Sequence, residues 1–388
     1  MKVSKFKKAA AAGAVAALLI AQPAMADVAL TGGGSSFASP LFDACKADFA
    51  TANKGQGLSV NYASSSSGTG RNNSDAGIND FNFSDTPHTA TTKKATVIHI
   101  PALAGAIGVM YNLAYPPREG VNLSASTLAK IYAGTITMWN DDAIKADNNR
   151  TIKVPVYKKD ANGLPVLKDG KPVLLSSRTV TSRWTPPAQK IVVIYRNDSS
   201  GTVGNFTAAL NGIDSTDWPK AGNNSFVASF PGGQSGLNSS ANLGRIVGTS
   251  GSAGVAALAA KTPYSIAFAE KNFAIANKLG LAKISNQSGA FVAPEAEGVS
   301  SFLGEATVDA AQGTLKMNYT TTNAGAYILG ITSYALVDTK TTNGKEVKTL
   351  LNYLLSPACA QKNPTLGFAL VSGKLLTVAN AQIAKIGA

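Results

Sequence analysis

The segment Ile191–Leu210, IVVIYRNDSSGTVGNFTAAL, decides how the rest of the chain is interpreted. Its apolar, β-branched start predicts a strand, the polar residues after it predict a turn, and a helix is expected to open at Val203. The turn ends in Ser200, Gly201 and Thr202, where a helix exposes unpaired N–H groups and the positive end of its dipole. Two hydroxyl groups and a flexible glycine at that point predict a seat for a small oxyanion.

Arg196 supports this interpretation, because a guanidinium group adds a full charge and a planar fork of donors that fits the edge of an oxyanion. The alternative is that Ser200 and Thr202 only cap the helix. Similar Gly/Ser-rich helix starts recur after other predicted strands, in TGGGSSF (31–37) and SSSSGTG (64–70). This recurrence favours a binding site built from several such turns.

Residues 1–26 have the three parts of a secretory signal peptide: a basic start, the apolar run Ala9–Ile20, and a small-residue cleavage site at 24–26. The apolar run is shorter than the roughly 18 residues that span a bilayer, and we expect no later segment to do so. We therefore expect an exported mature chain that starts at Asp27, in the periplasm or outside the cell.

The mature chain would have 362 of the 388 residues, beyond the roughly 250–300 at which single cores stop growing, so two lobes are expected. The formal charge of +13 falls to +9 without the four lysines of residues 1–26 (31 basic and 22 acidic residues remain). Such a balance suits anionic partners in general. Because the lysines are scattered and no nucleic-acid motif is present, the composition argues against nucleic-acid binding.

The chain has two cysteines, Cys45 and Cys359. In an exported protein a disulfide between them is favoured and would tie the first helix to the C-terminal region, with two separate buried thiols as the alternative. The cysteines and the two histidines, His88 and His99, lack the spacing of zinc ligands. We therefore expect neither a metal nor another cofactor, and each histidine is expected to be a surface or packed residue.

Strands alternate with helices along the chain, which predicts α/β architecture with largely parallel sheets. Ligands in such sheets bind at the carboxyl ends of strands, where the Gly/Ser-rich turns lie. The apolar run Ala95–Tyr111 is interrupted by Pro101, Gly105 and Gly108, which predicts one strand leaving a lobe and another entering the next.

Residues 152–184 differ from this pattern. Asn162-Gly163 and Asp169-Gly170 each lie between short β-prone runs, which is a strong hairpin signal. We therefore predict a projecting β-hairpin insertion.

Eight motifs follow one another along the mature chain: LTGGGSSFASPLF (30–42), NYASSSSGTG (61–70), DFNFSDTP (80–87), IPALAGAIGVMYNL (100–113), LSASTLAKIYAGTITMWND (123–141), YRNDSSGTVGNFT (195–207), GTSGSAGVAALAAKTPYSIAFAE (248–270) and YILGITSYALV (327–337). Together they resemble the periplasmic phosphate-binding proteins that serve ABC-type phosphate importers, and the R-x-D-x-S-G-T element is fairly specific. The resemblance implies an α/β, two-lobe type II periplasmic-binding-protein fold with a hinge, here with an inserted β-hairpin region.

The implied lobes are discontinuous in sequence. Lobe I would comprise 27–103 and 333–388, and lobe II would comprise 104–332 with the insertion 152–184. The crossings between the lobes should lie near Leu103 and Thr332.

The resemblance also implies the phosphate-binding residues, which are Ser36, Phe37 (through its backbone), Ser67, Asp85, Arg196, Ser200, Gly201 and Thr202. Asp198 resembles the family's partner that braces the arginine. Ser36 stands where threonine is usual, which keeps the hydroxyl group. Ser199 replaces a usual glycine, and Gly68 replaces a second serine.

The chemistry of Asp85 agrees with this role. A carboxylate in an anion site repels its ligand unless the ligand has a proton to donate, as phosphate does near neutral pH and sulfate does not. Asp85 would thus reject sulfate by placing two acceptors face to face. The alternatives are that Asp85 caps the turn before Pro87 and that Asp198 caps its own turn.

Three classes of function were weighed. The favoured one is a monomeric receptor that closes on phosphate, with arsenate as a further ligand, and delivers it to an ABC permease in the inner membrane. An exported surface or adhesion protein that keeps the fold without transport is the alternative. A phosphatase is disfavoured, because clustered metal ligands and a histidine base beside a serine are lacking in motif form.

Overall fold

The computed structural model describes residues 27–161, 166–169, 171–360, 362 and 366–387. The predicted signal peptide (1–26), the Asn162-Gly163 turn and Gly170 lie outside the described residues. Across the described ranges, none of the helices combines the length and the apolar character needed to cross a membrane.

Strands and helices alternate as the sequence predicts. The strands are β1 (Val28–Gly34), β2 (Leu58–Ser64), β3 (Phe81–Ser84), β4 (Val97–Tyr111), β5 (Asn122–Leu123), β6 (Thr151–Tyr157), β7 (Leu167–Lys168), β8 (Lys171–Pro172), β9 (Leu174–Thr181), β10 (Val192–Arg196), β11 (Ile246–Thr249), β12 (Ser265–Glu270), β13 (Gly280–Leu281), β14 (Lys283–Ser285), β15 (Phe291–Val292), β16 (Thr307–Asp309), β17 (Thr314–Lys316), β18 (Gly330–Asp338) and β19 (Phe368–Ala369). The helices are α1 (Ser39–Ala52), α2 (Ser67–Ala76), α3 (Ala125–Ala133), α4 (Asp142–Asn148), α5 (Gly201–Ile213), α6 (Phe226–Ser229), α7 (Gly233–Leu237), α8 (Ser252–Lys261), α9 (Lys271–Ala276), α10 (Ala296–Gly304), α11 (Gly344–Leu355), α12 (Pro357–Ala360) and α13 (Gly373–Ala384).

The central sheet has the strand order β11-β10-β12-β4-β18-β3-β1-β2. Pairing is parallel where β1 meets β2 and β3, and where β10 meets β11 and β12. We call the half around β1, β2 and β3 the first lobe and the half around β10, β11 and β12 the second lobe. The strands between them, β4 and β18, are antiparallel to each other and to their outer neighbours. The expectation of parallel sheets therefore holds within each lobe but not at the centre.

The prediction of two strands within Ala95–Tyr111 is wrong, because β4 is one continuous strand. Its partner β18 shifts register between Ser333 and Tyr334, opposite Pro101. A bulge of this kind accommodates a proline, which has no N–H to donate to the ladder. β4 pairs with β18 as far as Ala106 and with β12 from Ile107 onward, so a single strand belongs to both lobes.

The core of the first lobe forms where α1 packs on the sheet. The sequence pattern predicts that Leu41, Phe42, Cys45 and Phe49 point inward, and all four are buried. Phe42 stacks on Tyr62 of β2 with ring centroids 4.4 Å apart. This packing directs the start of α1 toward the end of β1, where the first Gly/Ser-rich turn lies.

The aromatic core of the second lobe lies against its strands. Phe206 of α5 stacks on Phe268 of β12 at 4.0 Å, and Tyr132 of α3 meets both rings edge-on. These contacts anchor α5 to the sheet and so place its N-terminus at the carboxyl end of β10.

The predicted disulfide is confirmed. Cys45 of α1 and Cys359 of α12 are bonded, with their Cα atoms 5.6 Å apart, and both side chains are buried. The bond joins residues separated by 314 positions in sequence. It therefore fastens the C-terminal helices to the first helix of the mature chain.

The predicted hairpin insertion is also present. β6 and β9 pair antiparallel from Thr151–Thr181 to Tyr157–Leu174, and β7 pairs with β8 beyond them. At the base, Asn149 and Trp184 exchange two hydrogen bonds, from Trp184 N to Asn149 Oδ1 (2.6 Å) and from Asn149 Nδ2 to Trp184 O (3.0 Å). The insertion thus leaves the second lobe between α4 and β10 and returns to the same point.

We expect replacement of both cysteines with alanine to lower the free energy of unfolding by about 2–5 kcal/mol, because the disulfide reduces the conformational entropy of the unfolded chain. Urea denaturation of the variant and of the oxidised protein measures the difference. Reduction of the unaltered protein serves as the matched control, and equal midpoints in all samples would contradict the prediction.

Candidate anion-binding site

The candidate site lies where strands of both lobes end and helices begin. β1 ends directly before Ser35 and Ser36, and β10 ends at Arg196. The helices α2 and α5 follow the Gly/Ser-rich turns and start at Ser67 and Gly201, the latter two residues before the expected Val203. These turns from different lobes meet in one cleft.

Glycine is required where the turns meet. Gly34 has φ +113°, and a Cβ there would lie 2.4 Å from Phe83 O. A Cβ on Gly201 would lie 2.5 Å from Ser67 Oγ and 2.8 Å from the Cβ of Asp85. The N-terminus of α5 in the second lobe therefore touches the first lobe with no room for a side chain.

Ser200 caps α5, since its Oγ accepts from the N–H of Val203 (3.4 Å). Its own N–H donates to the backbone oxygen of Asn224 (3.0 Å). Thr202 donates its hydroxyl proton to Glu270 Oε1 (2.6 Å), at the end of β12. Ser200 therefore caps the helix, and a cap leaves the remaining hydroxyl capacity open to a ligand.

Arg196 is almost completely buried and donates four hydrogen bonds to three residues. Its Nη1 donates to Ser36 Oγ (3.0 Å) in the first lobe and to Ser252 Oγ (3.1 Å) at the start of α8. Its Nε and Nη2 donate to the carboxylate of Asp198, and Asp198 also accepts from the N–H of Gly251 (3.0 Å). Asp198 therefore fixes the guanidinium plane.

The charge of Asp198 is stabilised by this arrangement. Burial alone would raise the pKa of its carboxyl group, but the hydrogen bonds and charge of Arg196 bring that pKa below its usual range. The ion pair consequently holds the Nη1 edge of the guanidinium toward Ser36 and Ser252.

Asp85 is buried in the first lobe, and its carboxylate gathers three hydroxyl groups. Oδ1 accepts from Ser35 (2.6 Å) and Ser333 (2.7 Å), and Oδ2 accepts from Ser67 (3.1 Å). These contacts differ from a turn cap before Pro87, because none of the donors belongs to that turn.

Burial raises the pKa of Asp85 from 3.8 to about 6. The hydrogen bonds from Ser35, Ser333 and Ser67 act in the opposite direction, and the nearby charge of Glu270 adds to the increase. Above that pH the carboxylate accepts hydrogen bonds only, and below it the neutral acid can also donate one.

The structure brings the predicted residues into one cleft, but several donors already have partners within the protein. The N–H of Phe37 donates to Ser35 Oγ (3.1 Å), and the Phe37 ring packs edge-on against Phe368. Ser36 accepts from Arg196, and Thr202 donates to Glu270. A ligand at this point would exchange some of these internal hydrogen bonds for its own.

Sequence reasoning missed several residues that contact the predicted set, among them Ser35, Ser252, Glu270 and Ser333. The first two lie in Gly/Ser-rich helix starts and Glu270 ends an apolar strand, so strand-end position could have found them. Ser333 lies within a strand that is distant in sequence, and no local signal identifies it.

Glu270 adds a second buried carboxylate to the cleft. Its side chain is 2% exposed, and Oε2 has no hydrogen-bond partner within the described part of the chain. Together with Asp85, it gives the cleft two buried acidic groups, which repel an anion rather than attract it. Recognition here therefore rests on donor geometry more than on net charge.

Arg71 connects the lobes at the mouth of the cleft. Its Nη1 donates to Ser84 Oγ (3.2 Å) and Thr86 Oγ1 (2.9 Å) in its own lobe. The Asn224 amide is oriented so that both its oxygen and its nitrogen have hydrogen-bond partners. In this orientation its oxygen accepts hydrogen bonds from Nη1 and Nη2 of Arg71, each at 2.7 Å. Asn224 belongs to the second lobe and also supports Ser200, so this contact bridges the two halves of the site.

Two hydrogen bonds to backbone oxygen atoms bridge the lobes nearby. The N–H of Gly68 donates to Ser199 O (3.3 Å), and Asn205 Nδ2 donates to Asp85 O (2.6 Å). A cavity of about 890 Å³ opens beside them and is bordered by both Arg71 and Asp85. The lobes are therefore in direct contact around the site, with solvent space on one side.

Both histidines are buried, and their hydrogen bonds go to residues outside the predicted set of ligands. His88 Nε2 lies 2.8 Å from Asp75 Oδ2, and the His88 N–H donates to His99 Nε2 (2.8 Å). Burial lowers the pKa of His99 to about 4. Among the described residues, no cluster of His, Cys, Asp and Glu could hold a metal ion.

Comparison with known proteins agrees with the predicted resemblance. The phosphate-binding protein PstS of Xylella fastidiosa (strain Temecula1) is 27% identical over 330 residues, which cover 84% of this chain and 76% of that protein. PstS of Pasteurella multocida is 30% identical over 269 residues, 69% of this chain and 64% of its own. For PstS of Methanocaldococcus jannaschii, 28% identical, the match spans about half of that protein's length (53%).

Solved structures show the same fold. A periplasmic phosphate-binding protein named PfluDING, bound with phosphate, aligns over 91% of this chain and 93% of its own, with a TM-score of 0.63 and 19% identity. A substrate-binding protein from Clostridium perfringens, described as a putative phosphate ABC transporter component, aligns over 89% of this chain and 100% of its own (TM-score 0.56, 15% identity). At these identities the likeness concerns the fold.

A family model described as a PBP superfamily domain matches residues 20–358, which is most of the chain. The predicted two-lobe binding-protein fold is thereby confirmed, and this protein belongs to the PBP superfamily.

Proposed function

We propose that this protein is an exported substrate-binding protein that captures inorganic phosphate between its two lobes for delivery to an ABC importer in the inner membrane. The observation that carries the proposal is the buried Asp85 carboxylate, held among hydroxyl donors in the cleft that also contains the edge of Arg196. The named relatives PstS and PfluDING support it, because their names state that they bind phosphate.

The groups in the cleft match a partly protonated oxyanion. Hydroxyl groups, backbone N–H groups and one guanidinium supply hydrogen-bond donors to its oxygen atoms, and we assign these to Ser36, Phe37, Ser67, Arg196, Ser200, Gly201 and Thr202. Asp85 then accepts the ligand's proton. Sulfate has no proton to offer near neutral pH and would meet the carboxylate acceptor to acceptor.

Capture follows from the division of these groups between lobes. Ser36, Ser67 and Asp85 precede the first crossing, and the group from Arg196 to Thr202 follows it. A bridging ligand makes contacts that exist only when the lobes are closed, which favours that state. We place the boundaries at 27–103 and 333–388 for one lobe and 104–332 for the other. In support, Thr332 Oγ1 donates to Leu103 O (2.8 Å), so the two crossings are adjacent.

We assign no catalytic step to this site. The hydroxyl groups of Ser36 and Ser67 are engaged with Arg196 and Asp85, and both histidines have partners elsewhere. Arsenate shares the shape and protonation of phosphate and should occupy the same cleft. We further propose that residues 1–26 direct export to the periplasm and that the receptor acts as a monomer.

Calorimetric titration of the mature protein, stripped of bound ligand, with phosphate and then with sulfate tests the proposal. We expect one phosphate per chain and no heat from sulfate. Absence of binding by either anion would refute the receptor function. Equal binding of both would show that Asp85 does not face the ligand.

Replacement of Asp85 by asparagine should weaken discrimination against sulfate, while Arg196→Ala should weaken binding of every oxyanion. An amide can donate to sulfate, so its affinity should rise by roughly tenfold or more, since an unmatched buried acceptor costs about 1–3 kcal/mol. Phosphate and sulfate titrations measure both effects. Asp43→Asn, an exposed change on α1, is the control, and unchanged affinities in both site variants would contradict the assignment.

Sulfate exclusion should also depend on pH. The pKa of Asp85 is raised to about 6, so the carboxylate is ionised and rejects sulfate above that value. As the pH falls through about 6, the neutral acid can donate a hydrogen bond and sulfate affinity should increase. Sulfate titrations on either side of this pH measure the effect, and Asp85→Asn should remove it. A flat profile in the unaltered protein would contradict the prediction.

Arg71 should control how long the cleft stays closed, because its hydrogen bonds to Asn224 join the two lobes and do not require a bound ligand. We expect Arg71→Ala to accelerate phosphate release by roughly tenfold, the effect of one charged hydrogen bond, with little change in sulfate discrimination. Stopped-flow release rates measure this.

The partner variant Asn224→Ala should act similarly, and the double variant should fall short of the sum of both effects, since the two residues contact each other. Asn72→Ala, an exposed change on the same helix as Arg71, is the matched control. Additive effects, or an unchanged release rate in both single variants, would disprove the bridging role.

A further inference from the structure

The hairpin insertion carries most of the net charge of the mature chain. Residues 150–184, here called the basic arm, contain eight basic and two acidic residues, a net charge of +6. The whole chain from residue 27 onward carries +9, so all its other residues together contribute only +3. No residue of the basic arm belongs to the anion-binding cleft, so the cleft does not explain why positive charge is concentrated on the arm.

The basic arm also exposes apolar side chains. Leu174 and Leu175 are 60% and 66% exposed, and Tyr157 is 41% exposed. Tyr157 and Leu174 are register partners of β6 and β9, and Leu175 lies at the register shift beside them. The three side chains therefore form one apolar group, and burial within the described part of the protein does not explain it.

Exposed basic side chains surround this group. Lys158 and Lys159 follow Tyr157 directly, and Arg178 lies three residues beyond Leu175 on β9. Lys168 and Arg183 are also exposed. A small apolar group ringed by cations combines the two features that bind an anionic bilayer, namely residues that enter the interface and charges that contact headgroups.

The base of the basic arm is fixed while its length is open to solvent. The backbone N–H of Ser182 donates to Arg150 O (2.9 Å), and Trp184 Nε1 donates to Tyr115 O (3.0 Å). The guanidinium of Arg150 stacks on the ring of Phe291 at 4.4 Å. Most of β9 beyond this base is exposed, so the basic arm can meet a flat surface without disturbing the lobes.

We propose that the basic arm docks this protein on the surface of an anionic phospholipid membrane. Tyr157, Leu174 and Leu175 enter the headgroup region, and the surrounding lysine and arginine side chains contact lipid phosphates. A soluble polyanion would satisfy the same charges, but it would leave the leucines in water, so the apolar group favours the membrane. Docking would keep an exported receptor close to the membrane and does not depend on which ligand the cleft holds.

Flotation of the mature protein with vesicles tests the proposal. We expect binding to vesicles of mixed phosphatidylglycerol and phosphatidylcholine at low salt, with none to pure phosphatidylcholine and a marked loss at high salt. Replacement of Lys158, Lys159 and Arg178 by glutamine should reduce partitioning by roughly a hundredfold, since each basic residue near an anionic surface contributes about fivefold. The double change Leu174→Ser and Leu175→Ser should also reduce it, by roughly tenfold or more.

Matched controls remove equivalent groups from other surfaces. Lys54 and Lys345 are exposed lysines, and Leu243 and Leu370 are exposed leucines outside the basic arm. Their replacement by glutamine and serine should leave partitioning unchanged. Unchanged melting temperatures and unchanged binding of phosphate in solution would show that each variant is folded.

Three results would overturn the proposal. The first is failure of the unaltered protein to float with the anionic vesicles at low salt. The second is a leucine variant that binds as well as the unaltered protein, which would indicate adsorption by charge alone, as to a soluble polyanion. The third is an equal loss in the control and basic-arm variants.

Discussion

The carboxylate of Asp85 is the group on which the first lobe's half of the site depends. It draws together hydroxyl groups from the end of β1, the start of α2 and the middle of β18, and the last of these, Ser333, lies 248 positions from Asp85 in sequence. A buried carboxylate is costly unless its oxygens are hydrogen-bonded, so these three segments must keep their positions for the charge to be tolerated. The same requirement holds an acceptor at a fixed point in the cleft.

The second lobe solves the opposite problem, the placement of a buried cation. Arg196 is neutralised by Asp198, and the loop before α8 supports that carboxylate through Gly251. Because this ion pair has no net charge and Asp85 and Glu270 are acidic, the cleft does not attract anions by overall charge. Under the proposed function, selectivity would rest on the positions of donors and acceptors, which distinguish ligands that carry a proton from those that do not.

The cleft and the basic arm are formed by separate parts of the chain. Ligand-facing groups come from loops at strand ends, and β4 and β18 connect those loops through the centre of the sheet. The insertion between α4 and β10 adds charge and apolar surface without adding to the cleft. Within the described residues, the basic arm is connected to the second lobe at its base, through Asn149, Trp184 and Tyr115.

Local chemistry made much of this predictable from sequence. Ser200 and Gly201 were identified because a strand, a polar turn and a helix follow each other within one short segment, and the inward residues of α1 follow from helical periodicity alone. Two cysteines in a chain with a predicted export signal were enough to favour the disulfide between Cys45 and Cys359. These features depend on neighbours in sequence or on composition, so the sequence by itself determined them.

Tertiary structure alone decided how distant segments meet. Pro101 and the glycines of β4 suggest a broken strand, yet a bulge at Ala102 of β4, opposite β18, lets one strand run through both lobes. Ser333 carries no local signal because it reaches Asp85 from a strand that is remote in sequence, and the pairing of Arg71 with Asn224 carries none because it forms across the two lobes. Buried hydrogen bonds between remote segments are set by packing, and packing is a property of the whole fold.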